Sequence, residues 1–162
     1  MRLRDAVPDD ALDVARVHVR SWQEGFKGLL PAGYLATLDP EARAKRYTFG
    51  ITDGSVPQTI VAIDRDQIVG FTTTQLKDDE ALLVALYVDP DHWGAGAGRM
   101  LVAEAKKELK KYGKPTAMLW SLVGNERADR FYTADGWALD GGRRTEDVWG
   151  SVMEQQRYRR AL

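Results

Sequence analysis

The chain has 162 residues, 44% of them hydrophobic and 29% charged, which is the balance of one ordinary globular domain rather than of a disordered or fibrous chain. Its net charge of -1 and pI near 6.1 supply no overall attraction for nucleic acid or an anionic membrane, so neither is expected as a partner. There is no cysteine, which excludes disulfides, thiolate metal sites and a cysteine nucleophile, and the only histidines, His18 and His92, lie too far apart to suggest metal-ligand spacing, so no metal is expected.

The first stretch, MRLRDAV, reads as a short strand that Pro8 stops. From Asp9, the residues Leu12, Ala15, Val19, Trp22 and Phe26 recur at helical spacing and predict a helix to about Gly25. Pro31 and Pro40 each open a shorter helix, giving a lid of two or three helical pieces. The β-branched runs on either side of Asp64-Arg65-Asp66-Gln67 predict an antiparallel hairpin. After a turn at Asp78-Asp79-Glu80 comes ALLVALYV, apolar on both faces and therefore a central strand covered from both sides. This is the longest apolar run, far short of the ~20 residues of a membrane-spanning helix. The N-terminus shows no secretory signal core, so a cytoplasmic location is expected.

Gly98 to Tyr112 reads as an amphipathic helix closed by Gly113, PTAMLWSLV as a strand, and ERADRFYTAD as a helix ended by Gly136. WALDGG and VWGSVMEQQRY read as a last hairpin turning at Gly141-Gly142. This order predicts an α+β fold in one domain, residues 1–162.

The segment HWGAGAGRML, residues 92 to 101, places Gly94, Gly96 and Gly98 between the central strand and the following helix. A dinucleotide G-x-G-x-x-G fails because Arg99 takes the sixth place, and a phosphate loop of the G-K-[ST] type fails because Met100 and Leu101 follow Arg99. The actual G-x-G-x-G spacing converges main-chain N–H groups and a helix N-terminus on one point suited to a pyrophosphate, though a merely tight turn has the same composition. Glycine serves there by admitting positive φ and by leaving room for close approach.

LYVDPDHWGAGAGRMLVAEA, together with Asn125, Ala128, Phe131, Tyr132, Gly136 and Trp137, resembles the two signatures of the GCN5-related N-acetyltransferases, in the right order. VHVRSWQEGFKGLLPAGYL and the terminal QQRYRRAL extend the likeness over essentially the whole chain. Trp93 departs from the pattern, standing where Gln or Arg is usual. The resemblance implies a three-layer α/β/α arrangement around a mixed, mostly antiparallel sheet of six to seven strands, with about four helices. Two central strands, Leu82 to Val88 and Ala117 to Val123, are expected to splay apart.

The implied cofactor is acetyl-CoA, its pantetheine arm added to the backbone of Leu86, Tyr87 and Val88 and its diphosphate held by Trp93, Gly94, Ala95, Gly96, Ala97, Gly98 and Arg99. Arg99 reads equally as a phosphate ligand or an exposed arginine, and Asn125 as a cofactor contact, a helix cap or both. Tyr132 is the implied acid for the departing thiolate, or else a core tyrosine beside Phe131. Many relatives carry a basic Glu where this chain has Leu82, which leaves Glu80 as the nearest carboxylate, or as part of a solvated turn.

Trp22, Glu24 and Phe26, with Tyr34, Arg143 and Arg144, fall by analogy around the acceptor, expected to be a small-molecule amine. A peptide or protein amine as acceptor, and a non-catalytic acyl-CoA sensor, are the alternatives. The apolar edge from Val148 to Met153 is a candidate homodimer surface.

Overall fold

A computed structural model describes all 162 residues. The strands are β1 (Arg2–Asp5), β2 (Gln58–Asp64), β3 (Gln67–Lys77), β4 (Glu80–Val88), β5 (Thr116–Leu122), β6 (Ala138–Val148) and β7 (Ser151–Ala161). The helices are α1 (Ala11–Gly25), α2 (Ala32–Leu35), α3 (Pro40–Ala44), α4 (Ala97–Lys110) and α5 (Glu126–Ala134); both lid prolines open a helix as expected, which makes five where the family resemblance implied about four. None is long and apolar enough to cross a membrane.

The strands form one seven-stranded sheet in the order β1-β2-β3-β4-β5-β7-β6, antiparallel at every step except the parallel pair β4–β5. Val14 and Val17 of α1 pack on Val61, Ile63 and Phe71 on one face, while Ala105 and Leu109 of α4 pack on Ala81, Leu83 and Leu119 on the other. The result is the expected three-layer arrangement.

Three strand pairs turn through two residues of positive φ: Arg65-Asp66, Asp78-Asp79 and Trp149-Gly150. Such turns match the right-handed twist of the strands they join, and aspartate tolerates the left-handed region better than most residues. The last of them corrects the expected turn at Gly141-Gly142. Those two glycines lie within β6, at a register shift between Leu139 and Arg143. A Cβ on Gly142 would stand 2.7 Å from Arg157 Nε, so the glycine admits a close approach of β7 rather than a reversal of the chain. Arg143 and Arg144 are therefore strand residues. Along the apolar edge from Val148 to Met153, Val148 and Met153 pack with Trp22, Phe26 and Leu35, while Val152 stands out in solvent.

Candidate functional site

β4 and β5 pair only at Ala81↔Ala117 and Leu82↔Met118, after which they part. Between their diverging ends lies a cavity of about 750 Å³ that runs from the α4–α5 face to the α1 face. This is within the usual range for a small-molecule site.

The free edge of β4 follows from its register with β3. The Asp89 N–H donates to the Val69 carbonyl across the Gly70↔Val88 pair, so that pair is of the non-bonded kind, and the main-chain groups of Val88 and Leu86 turn toward β5. A bulge at Val84 interrupts the strand. Before it Ala81 and Leu83 pack against α4, and after it Ala85 and Tyr87 face α1 while Leu86 and Val88 face α4. Tyr87 accordingly puts its ring against His18, 5.0 Å between centroids, on the side opposite the glycine loop.

At the α4 end, Gly96 caps the helix in the left-handed region (φ 93°) with no side-chain hydrogen bond, and Gly94 has φ 81°. The first N–H groups of α4, on Ala97, Gly98 and Arg99, thus have no capping partner. A Cβ on Gly94 or Gly96 would meet nothing within 4 Å, so the space beside the loop is open. Gly98 is different, because its Cβ would lie 3.2 Å from the Phe131 ring; it lets α5 approach α4. Ala95 and Arg99 are exposed. An open cradle of unanswered N–H groups leading into a free strand edge fits a long ligand with an anionic end, as coenzyme A is.

Trp93 contributes in a way its position alone did not suggest. Its indole N–H donates to the Val88 carbonyl at 2.8 Å, taking up one of the main-chain groups turned toward the cleft. The Arg127 guanidinium of α5 sits 3.4 Å above the Trp93 ring centre, a cation–π contact. Burial lowers the Arg127 pKa, with Arg130 adding to the shift.

Asn125 caps α5 by accepting from the Ala128 N–H at 3.2 Å, and the residue also lines the cavity. Tyr132 lines it from the same helix, packed edge-on against Phe131 and Trp137. Its hydroxyl makes no hydrogen bond within the protein, and burial pushes its pKa well above the ordinary tyrosine value.

On the α1 side, Trp22 and Phe26 form part of the wall while belonging to the core. The buried Trp22 indole N–H has no hydrogen-bond partner. Glu24 is exposed and lines a separate shallow depression with Arg20 and Asp91, so it does not join them. Tyr34 donates to the Trp149 carbonyl and fastens α2 to the β6–β7 turn.

Glu80 is also elsewhere. Its carboxylate pairs with Arg159 at 3.3 Å, and Arg159 in turn reaches Thr116 and Asp140, so strand parity with Leu82 does not bring Glu80 into the cavity wall. The carboxylates that do line it are Asp78 and Glu146. Glu146, Trp120 and Gln155 escaped the sequence reading. For Glu146 the trace there is the alternation of Arg144, Glu146 and Val148, which puts three cleft residues on one side of β6.

The model of the acetyltransferase (GNAT) family matches residues 20–137. The chain is 31% identical over 111 residues to the ribosomal protein bS18 alanine N-acetyltransferase of Escherichia coli K12, covering 67% of this chain and 74% of that one. It is 26% identical over 129 residues to the uncharacterized N-acetyltransferase YuaI of Bacillus subtilis 168, covering 76% and 72%. The PaiA N-acetyltransferase of Thermoplasma acidophilum, solved in complex with coenzyme A, superposes with a TM-score of 0.73 at 20% identity over 99% of this chain and 98% of that one. The chain belongs to the GNAT family of acetyltransferases, whose acetyl donor is acetyl-CoA.

Proposed function

We propose that residues 1–162 act as one cytoplasmic N-acetyltransferase domain that moves the acetyl group of acetyl-CoA directly to the primary amine of a small, amino-acid-like molecule. The observation that carries this reading is the cavity between β4 and β5, with uncapped helix N–H groups and the Tyr132 hydroxyl on one face and a separate polar wall on the other. Donor and acceptor then enter from opposite faces of the sheet and meet where the strands part.

Bound acetyl-CoA supplies a thioester that a neutral amine attacks, forming the amide and leaving the thiol. The residues around it have three tasks. The Leu86 and Val88 main chain orients the donor, and a free N–H there stabilises charge on the carbonyl oxygen. Tyr132 gives a proton to the leaving sulfur. Its raised pKa keeps it protonated at neutral pH, and the burial that causes this also makes a thiolate formed beside it more basic. Glu146, the cleft carboxylate on the α1 face, takes the proton that an amine of pKa about 10.4 must lose.

A protein N-terminus as acceptor is the second reading, favoured by the likeness to the bS18 alanine N-acetyltransferase. Two features favour a small acceptor over it. The β6–β7 turn closes against α1 and α2, through Trp149 on Trp22 and the Tyr34 hydrogen bond. The cavity wall is not acidic, carrying Lys77, Arg127 and Arg144 against Asp78 and Glu146. Thiol release from acetyl-CoA, measured with a panel of small amines and with peptides of free N-terminus, tests the proposal. Turnover with small amines supports it, turnover with peptides alone supports the second reading, and CoA binding without turnover supports a sensor.

A further inference from the structure

On the α1 face of the cavity one cationic side chain has its orientation set by two neighbours and its charge answered only by a carboxylate beyond hydrogen-bonding reach. Arg144 of β6 lies with its guanidinium 4.3 Å over the Trp120 ring and donates its Nε–H to Gln155 Oε1 at 2.8 Å. Gln155 is itself buried, 7% exposed. The Trp120 ring and the Gln155 bond together restrain the half-exposed guanidinium, which orients its Nη edge before any ligand arrives. That edge makes no hydrogen bond within the protein. Its nearest carboxylate, Glu146, stands 3.9 Å away, beyond hydrogen-bonding reach.

Arg157, the second cation near Trp120, is paired with Asp140 at 2.7 Å. Lys77, the other cation of this wall, stands at the β3–β4 turn next to Asp78. The unpaired indole N–H of Trp22 is a further donor in a wall residue.

Resting on the acetyltransferase reading above, we infer that the acceptor is an α-amino acid, its carboxylate bound in the fork of Arg144 and its amine directed toward Glu146. A guanidinium of this kind binds carboxylates two-pronged, with two parallel hydrogen bonds. The adjacent Glu146 makes a bare anion a poor ligand and a zwitterion a good one, because the ammonium offsets the like charge. Once the amine gives up its proton toward Glu146, its lone pair is free to attack, while the carboxylate stays anchored and holds the nitrogen in place.

The test compares amino acids with the amines that remain when only the carboxylate is removed, and with the corresponding amino-acid amides, in steady-state acetyl transfer. Wild-type protein should have a lower KM for the amino acids. Arg144→Met should raise that KM by about tenfold or more, the usual loss for a hydrogen bond to a charged group. It should raise the KM of the decarboxylated amines by much less and leave the thermal stabilisation by CoA unchanged. Arg144→Lys, which keeps the charge but loses the fork, should fall between the two. Equal use of amino acids and decarboxylated amines by the wild type, or an equal loss for both in Arg144→Met, overturns the inference while leaving the acetyltransferase reading standing. No thiol release with any amine of either set overturns the inference together with the small-acceptor reading on which it rests.

Discussion

Burial at Tyr132 raises the phenol pKa and so keeps the hydroxyl protonated and able to donate. Tyr132→Phe should therefore lower kcat by about 10²–10⁴, the range for loss of a general acid, with little change in CoA affinity. Initial rates and a CoA titration of the same variant check this, and equal loss in both would make the hydroxyl a packing element. The family resemblance pointed to Tyr132 and Asn125 through a local motif, an aromatic pair on a short helix with an Asn ahead of it, and both line the cavity. Glu80, which pairs with Arg159 instead of lining the cavity, is the opposite case. Strand parity fixes a direction but not a partner, and the partner, Arg159, lies on a strand that meets the sheet only at the end of the chain. Trp93 stood out as a departure, yet its ties to the Val88 carbonyl and to Arg127 depend on how the loop folds back and where α5 lands.

At the level of elements, the three glycines of the loop divide into two kinds of constraint, which single substitutions separate. Gly96→Val must adopt a left-handed backbone that costs a side chain about 1–2 kcal/mol, and its side chain enters the open space of the cradle. Loss of CoA affinity with a folded protein is expected. Gly98→Leu instead drives into the Phe131 ring, where overpacking costs about 1–3 kcal/mol, and should appear first as a lower Tm. Melting curves with and without CoA distinguish the two, and the reverse pattern would exchange their roles. The order and type of the main strands and helices were readable from periodicity, since each buries one face or both. The β6–β7 turn was not, because two adjacent glycines are a stronger local signal than Trp149-Gly150. What decides between them is the close approach of Arg157 to Gly142.

Across the whole molecule, α1 joins the cleft to a buried aromatic cluster in which His18 sits against Tyr47, Tyr87, Trp22 and Trp149. Burial, with Arg43 nearby, holds the His18 pKa well below its ordinary value. The unfolded chain therefore takes up a proton near pH 6.5 that the folded one refuses, and stability present above that pH is lost as pH falls. The expected slope is at most about 1.4 kcal/mol per pH unit from this group. Thermal melts between about pH 7 and 5 should steepen less in His18→Asn than in wild type, and identical acid slopes would contradict the assignment. The same cluster, with the Tyr34–Trp149 bond, ties the β6–β7 turn to α1 and α2, a contact that no single segment of sequence announces.

The most direct measurement is an experimental structure with coenzyme A bound. Its diphosphate should lie within hydrogen-bonding reach of the N–H groups of residues 94–99, with the thiol between β4 and β5 beside the Tyr132 hydroxyl. A diphosphate found away from that loop, or a thiol outside the cleft, would contradict the assignment of the site.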